Sequence, residues 1–324
     1  MKCRFPNLVA VFLVIGQGAM PLVQAQPTNL MIGGFDYIRS GDASFPIGAS
    51  FSQARTAILS NYPTTKFTNF TTLAASNLAG VNILIIGTPA TITNEISPLT
   101  AEEQTALLDF VNGGGASILF TDNESFSPSA NTANNSFLAP FGMGSAGTVG
   151  GPAYLGVPSP LQHVVTSGPF GVVTNYTQLA PGAITNLGPY ATALVPNDAG
   201  TALAVIDPGL IVPGSGPVVF FSDISGFWDT DGFFPTNAAL FLNSIEFCRD
   251  PTPRWRLKID PSGTDVVLHW PTAATNMVLE ATTNLDMGSV WTQVTNVPVV
   301  VDTEKFVTNP VVGTMFYRLR GASP

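Results

Sequence analysis

An α/β domain with a parallel-cored sheet, followed by a small all-β sandwich, is the architecture this sequence predicts. Three observations carry it. Val81–Ile86, a capped helix from Thr100, and Ala116–Thr121 follow one another as strand, helix and strand. Two prolines in Asp250-Pro-Thr-Pro253 then mark a stiff linker where the chain changes character. Beyond it come short alternating apolar runs, separated by turn residues, with no helical spacing.

The elements can be taken in chain order. Asn29 to Gly34 is a short apolar run closed by glycines and predicts a first buried strand. Phe51, Ala54, Ile58 and Leu59 have helical spacing. Lys66 to Thr71 predicts an edge strand, and Leu73 to Leu78 one or two helical turns. Val81 to Ile86 is almost entirely β-branched or Leu, as suits a parallel strand covered on both faces. Thr100 and Glu103 form a capping-box pair, Leu107, Leu108 and Val111 give the apolar stripe, and Gly113-Gly-Gly115 stops the helix. Ala116 to Thr121 completes a βαβ unit, whose crossover is expected to be right-handed. Residues 123–160 read as a polar insertion with one short helix near Phe137 to Phe141, and Val164 to Tyr176 as strand and turn pieces. Thr192 to Val195, Ala202 to Ile206 and Val218 to Ser222 predict further strands, the last two forming a hairpin across Gly214-Ser-Gly-Pro217. Ala238 to Phe247 predicts a closing amphipathic helix. In the last segment, strands are predicted at Trp255–Ile259, Val266–Trp270, Met277–Ala281, Trp291–Val294, Val299–Val301 and Phe316–Leu319.

The N-terminus reads as an export signal. Lys2 and Arg4 precede the apolar run Leu8 to Ile15, which is too short to span a bilayer. Val23-Gln24-Ala25 fits a signal-peptidase site, so cleavage is expected after Ala25. The expected organisation is a signal peptide at 1–25, the α/β domain at 26–249, a linker at 250–254 and the β-sandwich at 255–324. No later stretch is apolar and long enough to predict a membrane span. The mature chain keeps a single cysteine, Cys248, which its apolar neighbours Ile245 and Phe247 mark as core. Residues 26–250 hold 4 Lys/Arg against 15 Asp/Glu, a balance of −11. Such a surface repels phosphate backbones, which argues against a nucleic-acid partner.

Val81–Pro89, Leu99–Asp122 (ending FVNGGGASILFTD) and Val218–Ser244 (beginning VVFFSDISGFWDTDGFF) carry a family resemblance. Through them the first domain resembles the class I glutamine-amidotransferase-like, flavodoxin-like domains, including the bacterial ThuA-like families. Catalytic members place a nucleophilic Cys on a turn after a central strand. Here Asp122-Asn-Glu124 stands at that place, which removes amidotransferase chemistry from what the resemblance implies. Val267-Leu-His-Trp-Pro271, Leu279-Glu-Ala-Thr-Thr-Asn-Leu285, Trp291 and Phe316-Tyr-Arg-Leu319 resemble the fibronectin-type-III-like modules of secreted bacterial proteins. That resemblance implies a spacer or an adhesion element.

The candidate chemistry is acidic. Ligands of open α/β sheets bind outside the carboxyl ends of the strands. Asp36, Asp122 and Asp223 each follow a predicted strand, with Glu124, Asp229 and Asp231 nearby in sequence. Hard oxygen ligands of this kind suit Ca²⁺ or Mg²⁺, and Asp229-Thr-Asp231-Gly232 looks like the start of a calcium loop that lacks its later Glu. Asp223, Asp229 and Asp231 are therefore the candidate metal ligands. Trp228, among Phe227, Phe233 and Phe234, offers a stacking surface for a sugar. Each feature also has a structural alternative: an Asp after a strand caps a helix or closes a turn, and an aromatic loop packs on its own core. His163 with Ser125 or Ser222 lacks the G-x-S-x-G elbow of a serine hydrolase.

Three functions are compatible with these residues. The leading one is a non-catalytic exported binding or scaffold domain tethered to a β-module, with a carbohydrate or cell-surface component as partner. The others are a hydrolase or sugar-active enzyme using the acidic rim, and a purely structural surface protein.

Overall fold

Buried strands with alternating faces organise the larger part of the molecule. The computed structural model describes residues 29–87, 97–148, 154–158, 163–230, 233, 235–250, 257–272, 274, 277–285, 289–301, 304–310 and 313–321. The expected export signal and cleavage site, the expected linker residues 251–254 and Asp231 lie outside them. Contacts divide the chain into two compact units, one within Ala25–Pro253 and one within Arg254–Pro324. Among the described residues no helix is long and apolar enough to cross a membrane.

The first unit begins with β1 (Met31–Phe35), α1 (Tyr37–Ser40), α2 (Ser52–Asn61), β2 (Lys66–Phe70), α3 (Ala75–Leu78) and β3 (Ile83–Gly87). It continues with α4 (Ala101–Asn112), β4 (Ala116–Phe120), α5 (Ala130–Leu138) and β5 (Gly144–Thr148). Four short strands follow, β6 (Tyr154–Gly156), β7 (Ser167–Gly168), β8 (Gly171–Val172) and β9 (Tyr176–Gln178). The unit closes with β10 (Gly182–Asn186), β11 (Thr192–Asn197), β12 (Gly200–Ile206), β13 (Val218–Phe221) and α6 (Pro235–Arg249). The main sheet has the order β2-β1-β3-β4-β13-β12-β10-β5, with β11 also paired to β12. Strands β2, β1, β3, β4 and β13 are mutually parallel. The rest are added antiparallel, starting with the β12–β13 hairpin, so the sheet is mixed.

Period-two alternation splits each central strand between two cores. Ile83, Ile85, Ile118, Phe120, Leu203, Val205, Val219 and Phe221 meet Ala54 and Ile58 of α2 and Leu240, Phe241 and Ile245 of α6. Leu84, Ile86, Leu119, Ala204, Ile206, Val218 and Phe220 face the other way, onto Leu107 and Val111 of α4 and Phe137 and Leu138 of α5. Helix α4 starts at a complete capping box: Thr100 accepts from the Glu103 N–H and Glu103 accepts from the Thr100 N–H. Cys248 is buried and free, and burial pushes its thiol pKa well up.

The second unit contains β14 (Lys258–Ser262), β15 (Asp265–Pro271), β16 (Met277–Thr282), β17 (Thr292–Gln293), β18 (Val299–Val301), β19 (Glu304–Pro310) and β20 (Phe316–Gly321). They form a four-stranded sheet, β14-β15-β19-β18, and a three-stranded sheet, β17-β16-β20. Leu268, Trp270 and Val307 from the first join Leu279, Tyr317 and Leu319 from the second in one apolar cluster. Strand β19 was not among the expected strands. Glu304, Lys305, Asn309 and Pro310 mask its apolar residues, yet it pairs with β15 over seven positions.

Gly34 on β1 tests how closely the first sheet is packed. A Cβ there would fall 2.6 Å from the Ile85 carbonyl oxygen and 2.8 Å from the Pro46 ring. Gly34→Ala is expected to destabilise the chain by about 2 kcal/mol, the scale of overpacking. A denaturant melt with unchanged slope measures it.

Candidate functional site

Because β1, β3, β4 and β13 are parallel, their carboxyl ends share one edge, and Asp36, Asp122 and Asp223 all follow strands that end there. They form two groups. Phe120 pairs with Phe221, so Asp122 and Asp223 stand at equivalent positions two residues beyond adjacent strand ends. Strand β3 separates β1 from β4, which sets Asp36 about 9–10 Å to the side at ordinary strand spacing.

The Asp122–Asp223 group is closed to solvent: Asp122 is 5% exposed and Asp223 0%. Asp223 Oδ1 accepts from the Ser225 N–H at 2.8 Å, the Ser225 hydroxyl at 2.5 Å and the Gly226 N–H at 3.3 Å. Its Oδ2 accepts from the Leu179 N–H at 2.5 Å. Asp122 Oδ1 accepts from the Asn123 N–H at 2.7 Å. Asn134 clamps the Asp122 backbone, accepting from its N–H and donating to its carbonyl. Tyr176 covers the pair, donating its hydroxyl to the Asp223 carbonyl at 3.1 Å. Burial raises the Asp122 pKa well above the usual carboxylate range, and the Asp223 charge raises it further against the Asn123 bond. Burial also raises that of Asp223, opposed by its bonds from Ser225, Leu179 and Gly226.

The second group lies where the order β2-β1-β3 reverses chain direction across the sheet, the place where open α/β sheets hold ligands. Asp36 caps α1 through the Arg39 N–H at 3.0 Å and accepts from the Thr71 hydroxyl at 2.7 Å. Arg39 makes a two-pronged pair with Glu103, both bonds at 3.0 Å, and also donates to the Thr71 carbonyl. Burial works against ionisation of Glu103, but bonds from Arg39 and from the Thr100 and Leu73 N–H groups outweigh it and hold its pKa below the usual range. The capping box identified Glu103 in the sequence; its partner Arg39, 64 residues away, had no local signal.

Of the other candidates, Glu124 and Asp229 are occupied locally. Glu124 accepts from Asn131 at 2.7 Å and from the Gly147 N–H at 2.8 Å. Asp229 caps α2, accepting from the Ser52 hydroxyl and from the Ser52 and Gln53 N–H groups at 3.1 and 2.9 Å. Trp228 is half-buried against the core, with its indole N–H enclosed. His163 lies near the opposite edge, where β12 ends. Its Nε2 is 3.2 Å from Asp207 Oδ1, and its Nδ1 accepts from the Val165 N–H, so the proton sits on Nε2. Ser125 bonds Asn123 and Ser222 bonds Gln178, both at the acidic edge and away from that histidine. Cys248 rests against the start of β4, also far from the turn after it. In the second unit His269 is held at 2.7 Å by Glu304 and 2.8 Å by Asp260, stacked on Phe306.

No family model matches this chain, and no curated protein matches it. Among solved structures it is similar to one described as "mmIFT52 N-terminal domain", at 13% identity and TM-score 0.52, covering 70% of this chain and all of that one. A ThuA-like protein of Bacteroides uniformis is similar at 15% identity and TM-score 0.42, covering 71% of this chain and 95% of that one. An α-L-fucosidase of Paenibacillus thiaminolyticus is similar at 10% identity and TM-score 0.45, covering 91% of this chain and 49% of that one. At these identities the likeness concerns the fold alone.

Asp122 and Asp223 bind protons more tightly folded than unfolded, so their contribution is full below about pH 4 and falls as pH rises through the folded values. Asp122→Asn keeps the acceptor for Asn123 and removes that loss. It is expected to raise the melting temperature at pH 7, by about 2–4 °C per kcal/mol relieved, and to leave it nearly unchanged at pH 4. Glu103→Gln strands the Arg39 charge in a site only 14% exposed and is expected to cost about 3 kcal/mol in a urea melt.

Proposed function

We propose that this chain is an exported, non-catalytic binding or scaffold protein. In this reading its first unit is a ThuA-like, flavodoxin-like domain without the catalytic Cys. Its second unit is a fibronectin-type-III-like β-sandwich serving as spacer or adhesion element toward a carbohydrate or cell-surface component. One observation supports it above the others: at the edge where catalysis would be staged, Asp36, Asp223 and Asp229 are spent as acceptors for the chain's own N–H and O–H groups. A carboxylate engaged in this way holds a turn or a helix start, and has little capacity left to move a proton or grip a cation.

The rival reading, a sugar-active hydrolase using a divalent cation, makes opposite predictions. With the full chain, added Ca²⁺ or Mg²⁺ is expected to leave the melting midpoint in place, since only a ligand of the folded state raises it. No turnover is expected on a panel of chromogenic glycosides. A midpoint raised by either ion and lost in Asp36→Asn or Asp229→Asn, or glycoside turnover abolished by Asp122→Asn, would replace this proposal with the rival.

A further inference from the structure

A concavity of the first unit lies away from the acidic edge. It is a groove of about 640 Å³ between α3 and α4, reaching down to the starts of the parallel strands. That volume is within the range of about 300–1,000 Å³ typical of small-molecule sites. Leu78, Val81, Ala106 and Phe110 make up its apolar floor, and Ala75 and Gly113 also line it. Glu102 and Asp109 line the same wall. They are seven residues apart on α4, two helical turns, which sets their backbones about 10 Å apart along the groove.

Both carboxylates are exposed, and among the described residues no Lys or Arg forms an ion pair with either. The one guanidinium lining the groove, that of Arg249, is already committed to Glu246 at 2.8 Å and lies over the Tyr62 ring. The surrounding domain is strongly acidic, with its balance of −11 over residues 26–250. The groove therefore presents two exposed carboxylates along an apolar lining, while Arg249, which also lines it, is paired with Glu246.

We propose that the α3–α4 groove is a binding site for a linear organic dication, an α,ω-diamine or polyamine whose ammonium ends lie about 10 Å apart. The methylene chain lies on Leu78, Val81, Ala106 and Phe110, and the two ends pair with Glu102 and Asp109. Bonds from its own N–H and from the Thr100 hydroxyl hold Glu102 below the usual carboxylate range, so it stays charged in mildly acid surroundings. The inference rests on reading this unit as a binding module, but the two fail separately: glycoside turnover would sink that reading without affecting a binding isotherm at α4.

Titration calorimetry of the full chain with diaminooctane tests it. One saturable site is expected, weakened by added salt because both pairs are exposed. Glu102→Gln and Asp109→Asn should each weaken it about threefold, the scale of a surface ion pair. Ala106→Phe, which fills the floor, should abolish it while the two surface variants keep the wild-type melt. Absence of a saturable site overturns the proposal. So does equal affinity for suberate or diaminopropane, or unchanged affinity in Glu102→Gln and Asp109→Asn. Much tighter binding of a short peptide with lysines three residues apart would also overturn it, in favour of a protein partner.

Discussion

The double burial of the central parallel strands is the constraint on which the rest depends. Strands β3, β4 and β13 have solvent on neither face, so every side chain must find an apolar neighbour on one helical layer or the other. That requirement fixes register, because a one-residue slip would exchange the two cores. With register fixed, strand ends align, and residues at equivalent distances beyond them meet. Asp122 and Asp223 are neighbours for this reason alone: nothing in their local sequences refers to each other.

The acidic edge shows what such a constraint costs. A sheet covered on both faces still has to turn its chain at every strand end, and each turn frees N–H groups that need acceptors. Asp36, Asp223 and Asp229 supply them, one at α1, one across Leu179 to Gly226, one at α2. Asp122 is the exception. Its carboxylate satisfies one N–H while standing beside another acid in a closed space, an arrangement that favours the protonated form.

Much of this was legible in the sequence, and the parts that were not share a cause. Val81–Ile86, the Thr100–Glu103 cap and Ala116–Thr121 could be read because strand burial, capping and glycine stops act over a few residues. The β12–β13 hairpin was readable from Gly214-Ser-Gly-Pro217. Strand β19 was missed because its character comes from pairing with β15, while its own residues include Glu304, Lys305 and Pro310. The three aspartates were found by their position after strands, but their division into two groups depends on strand order, which no local pattern encodes. Arg39 was invisible for the same reason. The α3–α4 groove was hidden too, since Glu102 and Asp109 look like ordinary solvated helix residues until the neighbouring helix is in place.

Cys248 gives the first unit an internal clock. Its sulfur lies 4.0 Å from the Ser117 carbonyl, between the closing helix and the start of a central strand, and burial keeps it in the unreactive thiol form. A thiol-directed reagent therefore modifies it fastest in the moments when α6 lifts from the sheet. The rate of modification in undenatured protein reports how often the last helix undocks, an opening that melts, which record only complete collapse, would never register.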